Sequence, residues 1–177
     1  LHLSIRRQRQ MCIRDRPYLR NIAVDVKDNL ALKSVEPPPM IVYARGAVNH
    51  SLVEISRLGY DVVGIDHTVE PAWARQCLAQ AQSSNRKFSE VEVNKGAQHR
   101  IAIQGNLDPA ILYARPEVIQ DRVRRMFQTT TGGFGGQGAL ICNLGQGITP
   151  GVDPDHLRVF LEAVHRVSKE MADNNDD

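Results

Sequence analysis

The chain of 177 residues is 42% hydrophobic, which is enough for one ordinary core. Aromatic residues are sparse and the formal net charge is only +2, so the composition indicates neither a nucleic-acid binder nor a disordered acidic tail. Cys12, Cys77 and Cys142 are odd in number and form no CxxC pair, which favours a reducing compartment and predicts no metal cluster. No apolar run approaches the ~18 residues that span a bilayer, so we expect a soluble protein.

The first sixteen residues, "LHLSIRRQRQMCIRDR", differ in composition from the rest. Five arginines against one aspartate give this segment a net charge of +4 and leave about −2 for the remainder. The segment lacks the apolar centre and cleavage site of a secretory signal. Its "RQRQMCIRDR" stretch resembles translated sequencing-adapter DNA, with a targeting segment as the alternative. We therefore expect residues 1–16 to be non-native and the natural protein to enter, mid-chain, at Pro17.

From Pro17 onward the pattern alternates between helix and strand. Apolar residues spaced by three and four predict a helix over 18–33, which the prolines at 37–39 stop. A β-branched strand at 40–44 and a helix around Leu52, ended by Gly59, come next. The later predictions are a strand at 60–66, a helix after Pro71, a strand at 100–106, a short helix, a longer helix from Pro116, a strand at 138–143, and a last helix that Asp153 caps before Pro154.

Four βα units in series predict an α/β fold with a parallel sheet, because each crossover helix returns the chain to the same edge. A doubly wound sheet and a (β/α)8 barrel both fit the pattern, and four units would be half of such a barrel. Residues 80–99 are polar and predict a surface insertion with a hairpin around Phe88, Val91 and Val93. Residues 129–138 are a glycine-rich connector without a phosphate-binding motif.

Ligands of parallel α/β folds bind at the carboxyl ends of the strands. The residues there are Arg45, Asp66, Asn106 and Gln146. Asp66 could face a pocket, or it could cap a helix or bind backbone groups. Asn106 could do the same, although with Asp108 it also fits a turn and helix cap.

Other chemistry is not indicated by the residue patterns. His67 has no histidine or cysteine partner at the spacing of metal ligands, so we expect a structural or exposed side chain. His156 and His165 fall beside the polar face of the last helix, which predicts solvated rings. No GxSxG elbow, Ser/His/Asp order or Cys/His pair emerges.

Three motifs in sequence order carry a family resemblance. They are "PMIVYARGAVNHSLVEISRLGYDVVGIDHTVEPAWAR", "IQGNLDPAILYA" and "NLGQGITPGVDPDHLRVFLEAVHRVS". From about Pro17 to Met171, with 80–99 as the main interruption, the chain resembles the carboxy-terminal half of the uroporphyrinogen decarboxylase family.

The resemblance implies a (β/α)8 barrel that forms homodimers and uses neither metal nor organic cofactor. It implies removal of CO2 from four acetate arms of uroporphyrinogen III to give coproporphyrinogen III, in heme or chlorophyll synthesis, in the cytoplasm or in a plastid of a photosynthetic eukaryote. The family's arginine, aspartate, tyrosine and serine motifs lie upstream of the matched region. We therefore expect no catalytic residue in this chain and no activity from the 177 residues alone.

Gln146 stands where members of this family commonly have histidine. Histidine can be charged and pass a proton near neutral pH, whereas glutamine only donates and accepts hydrogen bonds. We expect Gln146 to be a neutral contact to a carboxylate-rich tetrapyrrole, with Asp66 and Asn106 as weaker candidates for substrate binding. The alternatives are a catalytically silent tetrapyrrole-binding paralogue and a zinc-dependent corrinoid methyltransferase, and the lack of an HxC pair disfavours the second.

Overall fold

A computed structural model describes residues 2–46, 50–84, 101–128 and 139–173. The four strands of this part form one parallel sheet in the order β1-β2-β3-β4, with a helix after each strand. The predicted α/β fold of four βα units is thereby confirmed, and it is consistent with part of a (β/α)8 barrel. The elements are α1 (His2–Leu32), β1 (Ile41–Tyr43), α2 (His50–Ile55), β2 (Val62–Gly64), α3 (Pro71–Ser84), β3 (Ala102–Leu107), a 3-10 helix (Pro109–Tyr113), α4 (Pro116–Phe127), β4 (Leu140–Leu144) and α5 (Pro154–Asp173).

The two faces of the sheet differ in how they are covered. Val42, Val63 and Ile103 are aligned across the first three strands, are at most 5% exposed, and belong to the main hydrophobic cluster. This cluster includes helix residues such as Leu52, Leu78, Ile119 and Val123, so the helices cover that face. The next row, Tyr43, Gly64, Gln104 and Ile141, points the other way and defines what we call the open face. Tyr43 and Ile141 are 46% and 40% exposed.

Helix α1 extends further than the sequence pattern predicts. It begins at His2 rather than at residue 18, and Pro17 lies inside it. Arginine, glutamine and leucine favour helix, and the helix continues although Pro17 removes one backbone hydrogen bond from it. The helix is fixed to the sheet by Tyr60, whose hydroxyl donates to the Leu19 carbonyl, and by an ion pair of 3.1 Å between Lys27 and Asp61.

Two other boundaries also differ from the predictions. Helix α2 ends at Ile55, and the buried Leu58 lies in the following turn, which finishes at Gly59 with φ of +93°. Residues 80–84 of the predicted insertion belong to α3. The rest of that insertion, including the hairpin around Phe88, and the connector at 129–138 lie outside the described residues.

No helix in the described part of the chain has the length and apolar character that crossing a membrane requires.

Candidate functional site

The carboxyl ends of the four strands meet on one side of the sheet, as expected for parallel strands. All three predicted site residues lie on this side, Asp66 in the loop after β2, Asn106 near the end of β3 itself, and Gln146 in the loop after β4. Asp66 and Asn106 are in direct contact through hydrogen bonding, and Gln146 lies in the neighbouring loop. The three residues nevertheless have different surroundings.

Asp66 is buried and its carboxylate is engaged by the protein itself. Its Oδ2 accepts a hydrogen bond of 2.6 Å from the Gly46 N–H, and its Oδ1 accepts from the Thr68 N–H at 2.9 Å and from the Thr68 hydroxyl. Burial raises the pKa of the carboxyl, but these hydrogen bonds and the charge of His67 outweigh burial and leave the pKa below its ordinary value. Asp66 therefore joins the loops after β1 and β2, as one of the two readings of the sequence predicts. Its contact with a substrate stays a prediction.

Asn106 has a similar role one strand further along. Its buried amide donates to the carbonyls of Asp66, at 2.9 Å, and Val69, at 2.7 Å. The alternative of a turn and helix cap is wrong for Asn106, because this residue lies within β3. The cap is Asp108 alone, whose carboxylate accepts from the Ala110 N–H at the start of the 3-10 helix.

Gly145, the first residue after β4, is fixed from three sides. Its N–H donates to the Leu107 carbonyl at 2.7 Å, and its carbonyl accepts from the Tyr43 hydroxyl at 2.8 Å. A Cβ at this position would lie 2.3 Å from the backbone nitrogen of His67, so only glycine fits there. The backbone that leads into Gln146 thus contacts β1, the loop after β2, and β3.

The phenol of Tyr43 crosses the open face to reach Gly145. Burial of the hydroxyl raises the pKa of Tyr43, the Asp66 carboxylate raises it further, and the Arg45 guanidinium lowers it. The hydroxyl therefore stays protonated at neutral pH and serves as a donor. Nothing in the sequence pattern predicts this contact between residues 102 positions apart.

The far end of the β4–α5 loop is also held. The Tyr113 hydroxyl donates to the Pro150 carbonyl at 2.8 Å. Asp153 caps α5 by accepting from the Asp155 N–H, which confirms the predicted start of that helix. The prediction of a solvated His156 is wrong, because its Nδ1 lies 2.7 Å from the Leu112 carbonyl, whereas His165 is exposed as expected.

Gln146 is half-buried beside a cavity of about 500 Å³. The lining combines apolar side chains with amides and a phenol, and it includes no charged side chain from the described ranges. Such a surface suits a largely apolar ring, with the carboxamides of Gln104 and Gln146 available for hydrogen bonds, whereas Asn143 Oδ1 already accepts from the Leu144 N–H. Six of the residues that line it are Tyr43, Gln104, Asn143, Gln146, Leu157 and Phe160.

Two side chains near the Gly145 loop, a cysteine in the cavity lining and a histidine whose backbone packs on Gly145, differ in their surroundings. Burial raises the pKa of Cys142 to about 11, so this thiol is protonated at neutral pH and is a poor nucleophile. The buried Nδ1 of His67 has no hydrogen-bond partner among the described residues. Across the same ranges of the chain, no three histidine, cysteine or acidic residues are placed to bind a metal ion.

Comparison with known proteins gives a consistent result. The family model described as uroporphyrinogen decarboxylase (URO-D) matches residues 12–167. The uroporphyrinogen decarboxylase of Schizosaccharomyces pombe is 41% identical over 150 residues, which cover 85% of this chain and 36% of that protein. The human enzyme of the same name is 35% identical over 158 residues, covering 89% and 36%, and that of Danio rerio is 37% identical over 155 residues, covering 88% and 35%.

The chain thus spans about a third of the length of the relatives it matches. The family match extends over β1 to β4 and most of α5, and it includes Gln146 and the loops that fix its backbone. On this evidence, the chain belongs to the uroporphyrinogen decarboxylase family.

Proposed function

We propose that the full-length protein containing this chain is a carboxy-lyase that converts uroporphyrinogen III to coproporphyrinogen III in heme or chlorophyll synthesis. Family membership over residues 12–167 supports the reaction class. The observation that carries the proposal is this family match, which includes the β4–α5 loop with Gln146. Its backbone is held by Tyr43, Leu107 and the packing of Gly145 on His67.

The amide side chain limits what Gln146 can do in the reaction. Removal of CO2 from an acetate arm leaves an electron pair on the methylene carbon, and a proton must be delivered there to form the methyl group. A glutamine amide cannot deliver that proton, but it can donate a hydrogen bond to a substrate carboxylate or accept one from a pyrrole N–H. Gln146 therefore orients the substrate, and the acid that protonates the carbon comes from elsewhere in the full-length protein.

The experiment is an anaerobic turnover assay of the full-length protein with uroporphyrinogen III. The products are oxidised and separated by their number of carboxyl groups. We expect four CO2 released per substrate and accumulation of the tetracarboxylate product. Absence of turnover in folded, full-length protein would contradict the enzyme assignment.

A catalytically silent tetrapyrrole-binding paralogue is the second candidate, and Gln146 is the observation that favours it. Full-length Gln146→His restores a titratable group at the position and separates the two candidates. The enzyme proposal expects turnover from wild type, with a changed pH profile in Gln146→His. If both proteins are inert but bind uroporphyrin, the silent paralogue is the correct function.

We also propose a homodimer in the cytoplasm, or in the plastid of a photosynthetic eukaryote. The family resemblance supports both statements. Light scattering of the full-length protein should give twice the mass of one chain, and cell fractionation should locate it. A monomer at micromolar concentration would contradict the dimer, and recovery in another compartment would contradict the location.

The 177 residues on their own should give no turnover and should bind hydrophobic dyes. The exposed apolar side chains of the open face, Ile41, Tyr43 and Ile141, support this expectation, as do the edge positions of β1 and β4 in the sheet. Activity from a cooperatively folded monomer of these residues would contradict it.

A further inference from the structure

Arg45 is an exposed arginine at the carboxyl end of β1, two residues beyond Tyr43. The residue after it, Gly46, has φ of +72° and donates its N–H to Asp66 Oδ2 at 2.6 Å. The backbone next to Arg45 is therefore hydrogen-bonded to the buried Asp66 carboxylate in the loop after β2. This fixes the point from which the long arginine side chain extends.

The charge of Arg45 is not neutralised by an ion pair within the described ranges. Asp66 is close by, but its two oxygens accept their hydrogen bonds from Gly46 and Thr68. Two other cationic side chains differ from Arg45, because each of them forms an ion pair. Arg16 is 2.6 Å from Glu54, and Lys27 is 3.1 Å from Asp61, and both pairs fasten α1 to the rest of the chain. In the part of the chain that the structure describes, the guanidinium of Arg45 forms no ion pair of this kind.

The position of Arg45 relates it to the loop that carries Gln146. Its positive charge acts on the Tyr43 phenol, lowering the pKa of that group against the effects of burial and of Asp66. The same phenol lies 2.8 Å from the Gly145 carbonyl, immediately before Gln146. Arg45 and the Tyr43 phenol thus start two residues apart at the carboxyl end of β1, and the phenol reaches the residue before Gln146 at the carboxyl end of β4.

Among the described residues, the cavity lined by Tyr43 and Gln146 offers apolar and amide groups but no charged side chain. A tetrapyrrole with carboxylate arms needs a surface for its ring and cations for its arms. An arginine binds a carboxylate with two parallel hydrogen bonds, and such bonds are about twice as strong as neutral ones. We infer that Arg45 binds a carboxylate arm of the tetrapyrrole while Gln146 contacts the same molecule from the loop after β4. This inference rests on the proposed function and adds to it a cationic substrate-binding residue from this chain.

The test compares Arg45→Gln with wild type in the full-length protein, using steady-state turnover of uroporphyrinogen III. Loss of a charge-assisted contact should raise KM by about 10-fold or more. The value of kcat should stay within about 2-fold, if the contact is equally strong in the ground and transition states. Arg45→Lys keeps the charge but loses the planar fork, so its KM should lie between the two.

The matched control is Arg166→Gln, which removes one exposed arginine from α5. Its KM should equal that of wild type, and all variants should keep the wild-type Tm. Added salt should raise KM more in wild type than in Arg45→Gln, because only wild type has the ionic contact to screen. Equal KM values for Arg45→Gln and Arg166→Gln would overturn the inference.

A binding experiment separates failure of this inference from failure of the proposed function. If full-length wild type shows no turnover, the proposed enzyme activity has failed, but uroporphyrin binding can still be followed by fluorescence. A Kd about 10-fold weaker for Arg45→Gln than for Arg166→Gln would support the carboxylate contact. Equal Kd values, or no binding by wild type, would overturn it.

Discussion

The central and outer strands of the sheet use polar residues at their carboxyl ends in different ways. At the ends of β2 and β3, Asp66 and Asn106 are buried, and each forms hydrogen bonds to the backbone of neighbouring loops. At the ends of β1 and β4, Arg45 is exposed and Gln146 half-buried, and neither has a side-chain hydrogen bond to the described residues. A polar residue at a strand end is therefore a stronger candidate for ligand binding when the protein itself leaves its donors unused.

The largest effect should come from removing the Asp66 carboxylate. In the full-length protein, Asp66→Ala leaves the buried donors of Gly46 and Thr68 without their acceptor, which should lower the free energy of unfolding by about 3 kcal/mol. Asp25→Ala, at an exposed position on α1, is the control and should stay within about 0.5 kcal/mol. Denaturant unfolding measures both. Equal stability of the two variants would mean that the hydrogen bonds accepted by Asp66 do not stabilise the fold.

A somewhat smaller effect is expected at Gly145. A methyl group there would meet the His67 backbone at 2.3 Å, and the resulting displacement should cost about 2 kcal/mol. Gly147 is two residues away, and a Cβ there would have no atom within 4 Å, so Gly147→Ala is the control and should leave stability almost unchanged. Thermal unfolding of both full-length variants is the measurement. A neutral Gly145→Ala would contradict the close packing of the two loops.

The Tyr43 hydroxyl should contribute less. Tyr43→Phe removes one donor to the Gly145 carbonyl and should lower the free energy of unfolding by about 1 kcal/mol. Tyr18, which is 71% exposed on α1, supplies the control Tyr18→Phe, with an expected change near zero. Chemical denaturation of the full-length variants distinguishes them. If both substitutions are silent, the bond to Gly145 contributes nothing to stability.

The smallest effect should be the acid dependence due to Asp66. The pKa of its carboxyl is lower in the folded chain than the about 3.9 expected when unfolded, so the unfolded chain binds more protons at low pH. The contribution of Asp66 is therefore complete above about pH 4 and is lost as the pH falls through the folded-state pKa. Asp66→Asn should show a shallower fall of stability below pH 4 than wild type. An unchanged slope would contradict the lowered pKa.

The elements of this fold were predictable because their signals are local. The β-branched run at 40–44 contains β1, and the Asp153–Pro154 pair fixes the start of α5. Boundaries were less accurate where tertiary packing decides, as at Leu58, which is buried although α2 has already ended. The chemistry of the strand ends was harder to predict, because the pairing of Asn106 with Val69 and of Tyr43 with Gly145 depends on residues far apart in the chain.

The hydrogen bond from Tyr43 to Gly145 joins the first strand of the sheet to the loop after the last. The distance between β1 and this loop depends on the curvature of the sheet. A change in curvature would therefore move Gly145 and, with it, Gln146 relative to the strand ends. A force that flattened the sheet would have to break a 2.8 Å contact or pull Gly145 away from His67. A displacement of β1 would thus be transmitted to the loop after β4 through the Tyr43 side chain.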